Sequence, residues 1–324
     1  MHYLLTGGYG CIGSWIVRNL IDQGHQVSIY DLAAHTGRMA LVMSREEIDT
    51  IGFFEGDIAD GAAFTRAVGD LGATHIIHLA GLQVPVCRAN PVKGAMVNVI
   101  GTLNVFEAAK ANPGQIHRIV YASSAAVYGR EEDYETGPIS NDAPLKPLTH
   151  YGVYKQCNEG CARVYHVENG ISSIGLRPWT VYGPGRDFGL TSDPTKAVKA
   201  AVLGRPFVIK FGGRNNMQYV DDTAKIFIRC AEAPYDGAGV YSIRGEIVTV
   251  DDIVAAIERA VPQSTGLITH TDNAIPIAPD LDDRPLLDDI GRIPHTPLPE
   301  GIAHTAEVFR RHHLAGTLDV SDLT

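Results

Sequence analysis

The chain has 324 residues, 45% of them hydrophobic, and a formal net charge of -10. That is enough apolar material for one large or two modest domains, and the acidic balance argues against a nucleic-acid or membrane-surface binder, which depends on basic patches. No stretch is apolar for long enough to span a bilayer, the N-terminus enters a strand without a basic and apolar leader, and five cysteines, an odd number, fit a reducing compartment, so a cytoplasmic protein is expected.

His2-Tyr3-Leu4-Leu5-Thr6 reads as a short buried strand, followed by Gly7, Gly8, Gly10 and Gly13 and then a helix from Ile12 to Gln23. The helix carries Ile12, Ile16, Val17, Leu20 and Ile21 on one face, and Gly24 ends it. A strand that runs into a glycine turn and a helix aims free N–H groups and the positive helix end at a pyrophosphate. A ligand-free glycine hairpin is the alternative for these glycines alone. Against it, a second strand, Gln26 to Asp31, ends in a carboxylate where a ribose 2′-hydroxyl would sit. Asp31 would accept from that hydroxyl and repel a 2′-phosphate, which favours NAD over NADP. Arg38 is a nearby cation that could accommodate the phosphate. The spacing Gly7-x-x-Gly10-x-x-Gly13 also differs from the more usual G-x-G-x-x-G.

Strand and helix signals then alternate. Ile51 to Glu55 is a strand leading to Gly56-Asp57-Ile58, Asp60 to Leu71 a helix, and His75 to Leu79 a strand ending at Ala80-Gly81. A long helix from Pro91 to Ala111 precedes a fifth strand, Arg118 to Ala122, with Ser123-Ser124 at its end. This predicts an α/β, Rossmann-type doubly wound parallel sheet. Ligands in such sheets bind outside the carboxyl ends of the strands, so Asp31, Asp57, Ala80-Gly81 and Ser123-Ser124 belong to one rim. Singly each has a structural explanation, Asp57 as a helix cap for example. Arg130 to Leu148 reads as an acidic and proline-rich excursion over the rim, Tyr151 to Asn169 as a helix, and Ser172 to Leu176 as a strand. Residues 1–177 are expected to form the NAD-binding domain, completed by part of 215–250, with 178–324 mainly a smaller C-terminal α/β substrate-binding region. A polar, mobile end is expected after Gly316. Cys157 and Cys161, four apart on a helix, read as packing residues and not as half of a metal site; no metal is expected. His312-His313 read as a solvated helix end.

Tyr151 and Lys155 fall on one helix face, one turn apart. The lysine cation, with the positive nicotinamide ring, would stabilise phenolate and draw the tyrosine pKa from about 10 toward working pH. Tyr151 could then serve as a general base, while the lysine donors hold ribose hydroxyls. Tyr154 is an internal rival without a lysine four residues on. Ser124 would donate to the substrate oxygen, and Ser123 would touch the cofactor.

With Thr6-Gly7-Gly8-Tyr9-Gly10-Cys11-Ile12-Gly13, Asp57-Ile58, His78-Leu79-Ala80-Gly81, Asn98-Val99-Ile100-Gly101-Thr102, Ser123 to Gly129, Tyr151 with Lys155, Arg177-Pro178, Val181 to Arg186 and Tyr219-Val220-Asp221-Asp222, the chain resembles extended short-chain dehydrogenases/reductases of the NAD-dependent sugar epimerase/dehydratase type. The resemblance spans nearly the whole chain. It implies Ser124, Tyr151 and Lys155 as the catalytic set and NAD as cofactor. For the cofactor it points to Gly7, Gly10, Cys11, Ile12, Gly13, Asp31, Leu32, Asp57, Ile58, Leu79, Ala80, Gly81, Asn98, Ser123, Tyr151, Lys155 and Pro178. It further implies a homodimer built from two helices per subunit.

Similar 4,6-dehydratases carry an Asp-Glu pair directly after the Ser/Thr, because removing water needs an additional acid and base. Ala125 and Ala126 stand there, which disfavours dehydration, and related decarboxylases and cysteine-based epimerases lose support as well. A nucleotide-sugar 4-epimerase and a net dehydrogenase of a free sugar, sugar acid or polyol both remain, and a non-catalytic NAD-sensing protein is a third reading. The substrate side departs from similar epimerases. Thr180 stands where they have an asparagine, and Asn215-Asn216-Met217-Gln218 where they have an arginine for a nucleotide diphosphate. Arg214 could replace that arginine and Arg284 could be a second clamp, but a surface salt bridge is at least as good a reading of each. Gln83, Ser124, Trp179, Thr180, Arg186 and Arg214 are the substrate-contact candidates.

Overall fold

Leu4, Ile76 and Ile119 are fully buried on one side of a sheet, and Tyr3, Leu5, Ile77 and Val120 on the other. Side chains alternate along a strand, so strands apolar on both faces need helices on both sides. The computed structural model describes residues 1–323. In chain order it gives β1 (His2–Thr6), α1 (Cys11–Asp22), β2 (Gln26–Asp31), α2 (Arg45–Ile48), β3 (Gly52–Glu55), α3 (Gly61–Leu71) and β4 (His75–His78). Next come α4 (Val84–Ala89), α5 (Pro91–Ala95), α6 (Gly101–Ala111), β5 (Arg118–Ala122), α7 (His150–Asn169), β6 (Ser173–Arg177) and β7 (Thr180–Tyr182). The remainder is α8 (Asp193–Val202), β8 (Phe207–Ile209), β9 (Arg214–Tyr219), α9 (Val220–Glu232), β10 (Ala238–Ser242), β11 (Glu246–Thr249), α10 (Val250–Ala260), β12 (Ile268–His270), α11 (Arg284–Ile290) and α12 (Leu298–Leu314).

Seven strands form one parallel sheet in the order β3-β2-β1-β4-β5-β6-β10. Phe64 and Val68 of α3 and Val105 and Phe106 of α6 cover one face. Ile16, Val17 and Leu20 of α1 and Ala224, Phe227 and Ile228 of α9 cover the other. The seventh strand, β10, comes from far along the chain and pairs with β6, Gly239 opposite Ile174. A three-stranded sheet, β11-β9-β7, and a two-stranded one, β12-β8, lie in the C-terminal part. Strand order reverses between β1 and β4, and the carboxyl ends at that switch point carry the glycine turn and Ala80-Gly81.

Two expectations are corrected here. The helix expected from Pro91 to Ala111 is interrupted by a π-helical turn at Met96–Ile100. Asn98 explains the break: its side-chain amide donates to the Gly94 carbonyl at 2.9 Å, and its own carbonyl accepts from Asn158 at 2.9 Å and from Thr102 Oγ1 at 2.8 Å. The segment after Gly316 is anchored, because Lys199 donates to the Asp319 carbonyl at 3.1 Å and to Asp322 at 2.7 Å, while Leu318 and Leu323 pack on the core.

An ion pair lies under the site. Arg177 at the end of β6 donates through Nε and Nη2 to the two carboxylate oxygens of Glu159 on α7, each at 2.8 Å, with both side chains over nine-tenths buried. Removing one member leaves a buried charge without its partner. Glu159→Ala is therefore expected to lower unfolding free energy by roughly 3–5 kcal/mol in chemical denaturation, while the paired replacement Glu159→Leu with Arg177→Met recovers most of the loss.

Candidate active site

The turn after β1 needs its glycines for want of space. Gly7 has φ +70°, and a Cβ there would lie 2.7 Å from the Ala80 nitrogen; at Gly13 it would lie 2.6 Å from the Gly8 carbonyl oxygen. Gly10, the N-cap of α1, brings no side chain to the helix end. Cys11 and Ile12 open the helix, and Ser14 donates to the Gly10 carbonyl at 2.8 Å. At the end of β2, Asp31 accepts from the Leu32 N–H at 2.8 Å, and burial pushes its carboxyl pKa up. Asp57 accepts from the Ala59 N–H at 2.9 Å, and Ile58 is buried against Gly101.

At the end of β4, a Cβ on Gly81 would be 2.7 Å from Asn98 Oδ1 and 3.6 Å from Lys155 Nζ, so these two polar atoms flank the strand end next to Leu79 and Ala80. Asn98 Oδ1 is buried and has no hydrogen-bond partner. Lys155 donates to the Ala122 carbonyl at 2.7 Å and lies 5.5 Å from the centre of the Tyr151 ring. The Ser124 hydroxyl faces the Tyr151 phenol. Ser124 also accepts from the Ala126 N–H at 3.1 Å, and the Pro178 carbonyl accepts from the Ala125 N–H at 2.9 Å, which ties the ends of β5 and β6.

The region from residue 3 to residue 243 matches the family described as NAD dependent epimerase/dehydratase. This chain belongs to that family. It is 30% identical to a UDP-glucose 4-epimerase of Mycolicibacterium smegmatis over 96% of this chain and 99% of that one. Among solved structures, a UDP-glucose 4-epimerase of Thermus thermophilus in complex with NAD is 26% identical, with a TM-score of 0.78, over 96% and 99% of the two chains. A UDP-glucose 4-epimerase of Thermotoga maritima solved with UDP-glucose shares the fold with a TM-score of 0.84 at 22% identity, over 97% of this chain and all of that one.

The residues present suit the family's dinucleotide: a glycine turn packed tightly onto the end of β4 with no side chain at the N-terminus of α1, a carboxylate ending β2, and the orphaned Asn98 oxygen beside Lys155. Ser123 is placed differently from expectation. Its hydroxyl donates to Glu159 at 2.5 Å and belongs to the buried ion pair, so it is not turned to the rim. Burial pushes the Tyr151 pKa up, opposed by the Ser124 hydroxyl and the Arg186 charge. The Lys155 amine over its ring is itself desolvated, its pKa pushed down to about 8, and it is engaged by the Ala122 carbonyl.

The substrate-side candidates divide. Arg186 reaches the site: its charge acts on both Tyr151 and Cys11, its Nη2 donates to Thr191 at 3.0 Å, and its Nε is buried without a partner. Gln83 is beside it, since a Cβ on Gly189 would meet both Gln83 Oε1 and Arg186 Nη2. Trp179 is fixed by its indole N–H to the Ala278 carbonyl at 2.9 Å, and the buried Thr180 hydroxyl has no partner. Arg214 is not brought in. Thr180 pairs with Met217 across β7 and β9, which leaves Arg214 three residues, roughly 10 Å, along the strand; there it pairs with Glu131 at the surface at 3.0 Å. Arg284 likewise pairs with Asp282 and is 80% exposed. Glu159, Arg177 and Asp187 were missed as site-supporting residues; Glu159 lies eight residues after Tyr151, two helical turns along the same face.

Lys155 gives a pH signature. Its pKa is about 8 in the fold and 10.5 in the unfolded chain, so between these values the unfolded chain holds the extra proton and stability rises with pH. This contribution is complete above 10.5 and is lost as pH falls through about 8. Denaturation at pH 7 and pH 9.5 is expected to show a larger gain for wild type than for Lys155→Met.

Proposed function

We propose that this protein is a nucleotide-sugar 4-epimerase that works through Tyr151, Ser124 and Lys155. The observation that carries the reading is the convergence on one phenol: the Ser124 hydroxyl faces it and the Lys155 amine lies 5.5 Å from its ring centre, at the strand ends that also bear the glycine turn. The UDP-glucose 4-epimerases of M. smegmatis and T. thermophilus, each matched over nearly its full length, support the substrate class.

NAD, when bound, supplies a reversible acceptor for hydride from a substrate carbon. Gly7, Gly10, Cys11, Ile12 and Gly13 would hold its pyrophosphate, and Asp31 with Leu32 its adenosine ribose. Asp57, Ile58, Leu79, Ala80 and Gly81 line the approach. Asn98, Lys155 and Pro178 would serve the nicotinamide side. Tyr151 takes the proton of the substrate hydroxyl as general base and returns it as general acid. Ser124 holds the substrate oxygen in line with that transfer. Arg186 lowers the cost of phenolate in a site where burial raises it. Ala125 and Ala126, both buried, offer no second acid or base, which disfavours dehydration.

A net dehydrogenase of a free sugar, sugar acid or polyol is favoured by a separate observation. Arg214 and Arg284 are engaged by surface carboxylates, and the amides of Asn216 and Gln218 bond within the protein, to the Pro279 carbonyl at 2.9 Å and the Ile243 carbonyl at 2.7 Å. For the assembly we propose a homodimer through α7 and the neighbouring α5 and α6. Val92, Met96, Val153, Val164 and Val167 are exposed on those helices and the π turn between them, an apolar surface suited to a second copy.

The deciding experiment offers NAD-loaded protein UDP-glucose, UDP-glucuronate, free sugars and sugar acids, following product stereochemistry by NMR and reduced cofactor by absorbance. An epimerase interconverts the UDP-sugar without net reduced cofactor; accumulation of reduced cofactor with a free sugar would replace that reading with the dehydrogenase. Tyr151→Phe is expected to lose about 10²–10⁴-fold in turnover with the fold intact by circular dichroism. Sedimentation is expected to give a dimer, and Val164→Glu with Val167→Glu a monomer.

A further inference from the structure

The loop after β7 lies against the glycine turn. A Cβ on Gly185 would be 3.6 Å from the Arg38 Cβ and 3.8 Å from the Cys11 Cα, and the neighbouring Pro184 carbonyl accepts from the Trp15 indole of α1 at 2.9 Å. Two residues later Asp187 receives Arg38 in a fork: Nε donates at 2.8 and 3.1 Å to its two oxygens and Nη2 donates at 2.8 Å. The third nitrogen of Arg38, Nη1, donates to the Tyr9 carbonyl at 3.3 Å.

Tyr9 links this fork to the end of β2, because its backbone N–H favours the ionised form of the Asp31 carboxylate. Arg38 and Asp31 thus both meet the backbone of one residue in the glycine turn. Asp31 is the group that would meet a ribose 2′ substituent, and a free guanidinium beside it would provide the bidentate partner that a 2′-phosphate needs. The guanidinium is not free. All three of its nitrogens have acceptors, two of them on a carboxylate that neutralises its charge, and both side chains are only about one-third exposed.

We propose that Asp187, a residue of the substrate-side loop, sets the preference for NAD over NADP by holding Arg38 away from the 2′ position, with Asp31 as the repelling half of the same device. The inference rests on the dinucleotide reading of the glycine turn and is independent of the sugar. A second consequence follows from the same contacts: the fork clasps the loop at 183–189 onto the turn, so its loss also weakens binding of NAD itself.

Calorimetric titration of NAD and of NADP into wild type, Asp187→Asn, Arg38→Met and the double variant tests this without any substrate. Asp187→Asn is expected to bind NAD more weakly and to shift the NAD:NADP affinity ratio toward NADP by about tenfold, equivalent to about 1.4 kcal/mol. Arg38→Met leaves the ratio at the wild-type value or above it, and the double variant loses the shift. Asp187→Glu, which keeps the charge and the fork, retains the wild-type ratio and controls for folding. An unchanged ratio in Asp187→Asn overturns the proposal. So does a shift that persists in the double variant, since loss of the Asp187 charge alone would then account for it. Wild type that binds neither dinucleotide would overturn the cofactor assignment and the proposal together.

Discussion

The geometry of the site depends on one buried electrostatic contact, the Glu159–Arg177 pair. Its members come from α7 and from the end of β6, and the Ser123 hydroxyl joins it from the end of β5. Arg177 spends its remaining nitrogen on the Tyr128 hydroxyl at 2.6 Å and the Asn141 carbonyl at 2.8 Å, and the Tyr128 hydroxyl lies 3.0 Å from Ser242 on β10. Two charges withdrawn from water are costly unless every lone pair and proton is matched, so the pair tolerates few arrangements of the segments it joins. Ser124 is covalently next to Ser123, while Tyr151 and Lys155 share a helix face with Glu159. Fixing Glu159 against Ser123 therefore fixes the phenol against the serine hydroxyl.

A neutral network does the same for the cofactor side. His78 contacts Thr6 through Nδ1 at 2.6 Å and Thr102 through Nε2 at 3.0 Å. Thr102 donates to the Asn98 carbonyl and also receives from Asn158, so its oxygen is an acceptor toward the imidazole. The ring must then carry its proton on Nε2 and accept from Thr6 on Nδ1. Burial, with the Lys155 charge as a lesser influence, pushes the histidine pKa down to about 3, which keeps it in this neutral form. The chain of contacts runs from the strand feeding the glycine turn to α6 and α7. It also sustains the π turn that leaves Asn98 Oδ1 unpartnered beside Lys155 and Gly81.

What was legible in the sequence is what repeats locally. Strands apolar on both faces, glycines with no room for a Cβ and a four-residue Tyr–Lys spacing all declare themselves within a few residues. The Pro91 to Ala111 stretch reads as one helix because nothing in its periodicity reports that the Asn98 side chain competes for backbone groups. Ser123 looked like a rim residue because its position at a strand end is local, whereas its partner Glu159 lies 36 residues on. Arg214 looked able to slide into a vacant cationic position. The register of β9 against β7, a long-range property, places it at the surface instead. The segment after Gly316 is polar in composition, yet it is held by Lys199, whose position no local pattern reveals.

Three arginines that could have met a phosphate are already matched by carboxylates. Arg38 is taken by Asp187, Arg214 by Glu131 and Arg284 by Asp282. Among the described residues Arg186 has no carboxylate partner; it keeps a buried nitrogen unpaired and acts on Tyr151 through its charge. Cations near the phenol, Arg186 and Lys155, stabilise phenolate whatever carbon is oxidised, which serves an epimerase and a dehydrogenase alike. A nucleotide diphosphate carries charge well away from the reacting hydroxyl and calls for donors there; a sugar acid carries its charge within a few bonds of it. Because the Ser124–Tyr151–Lys155 set would serve either molecule, discrimination between them must come from donors away from the reacting centre.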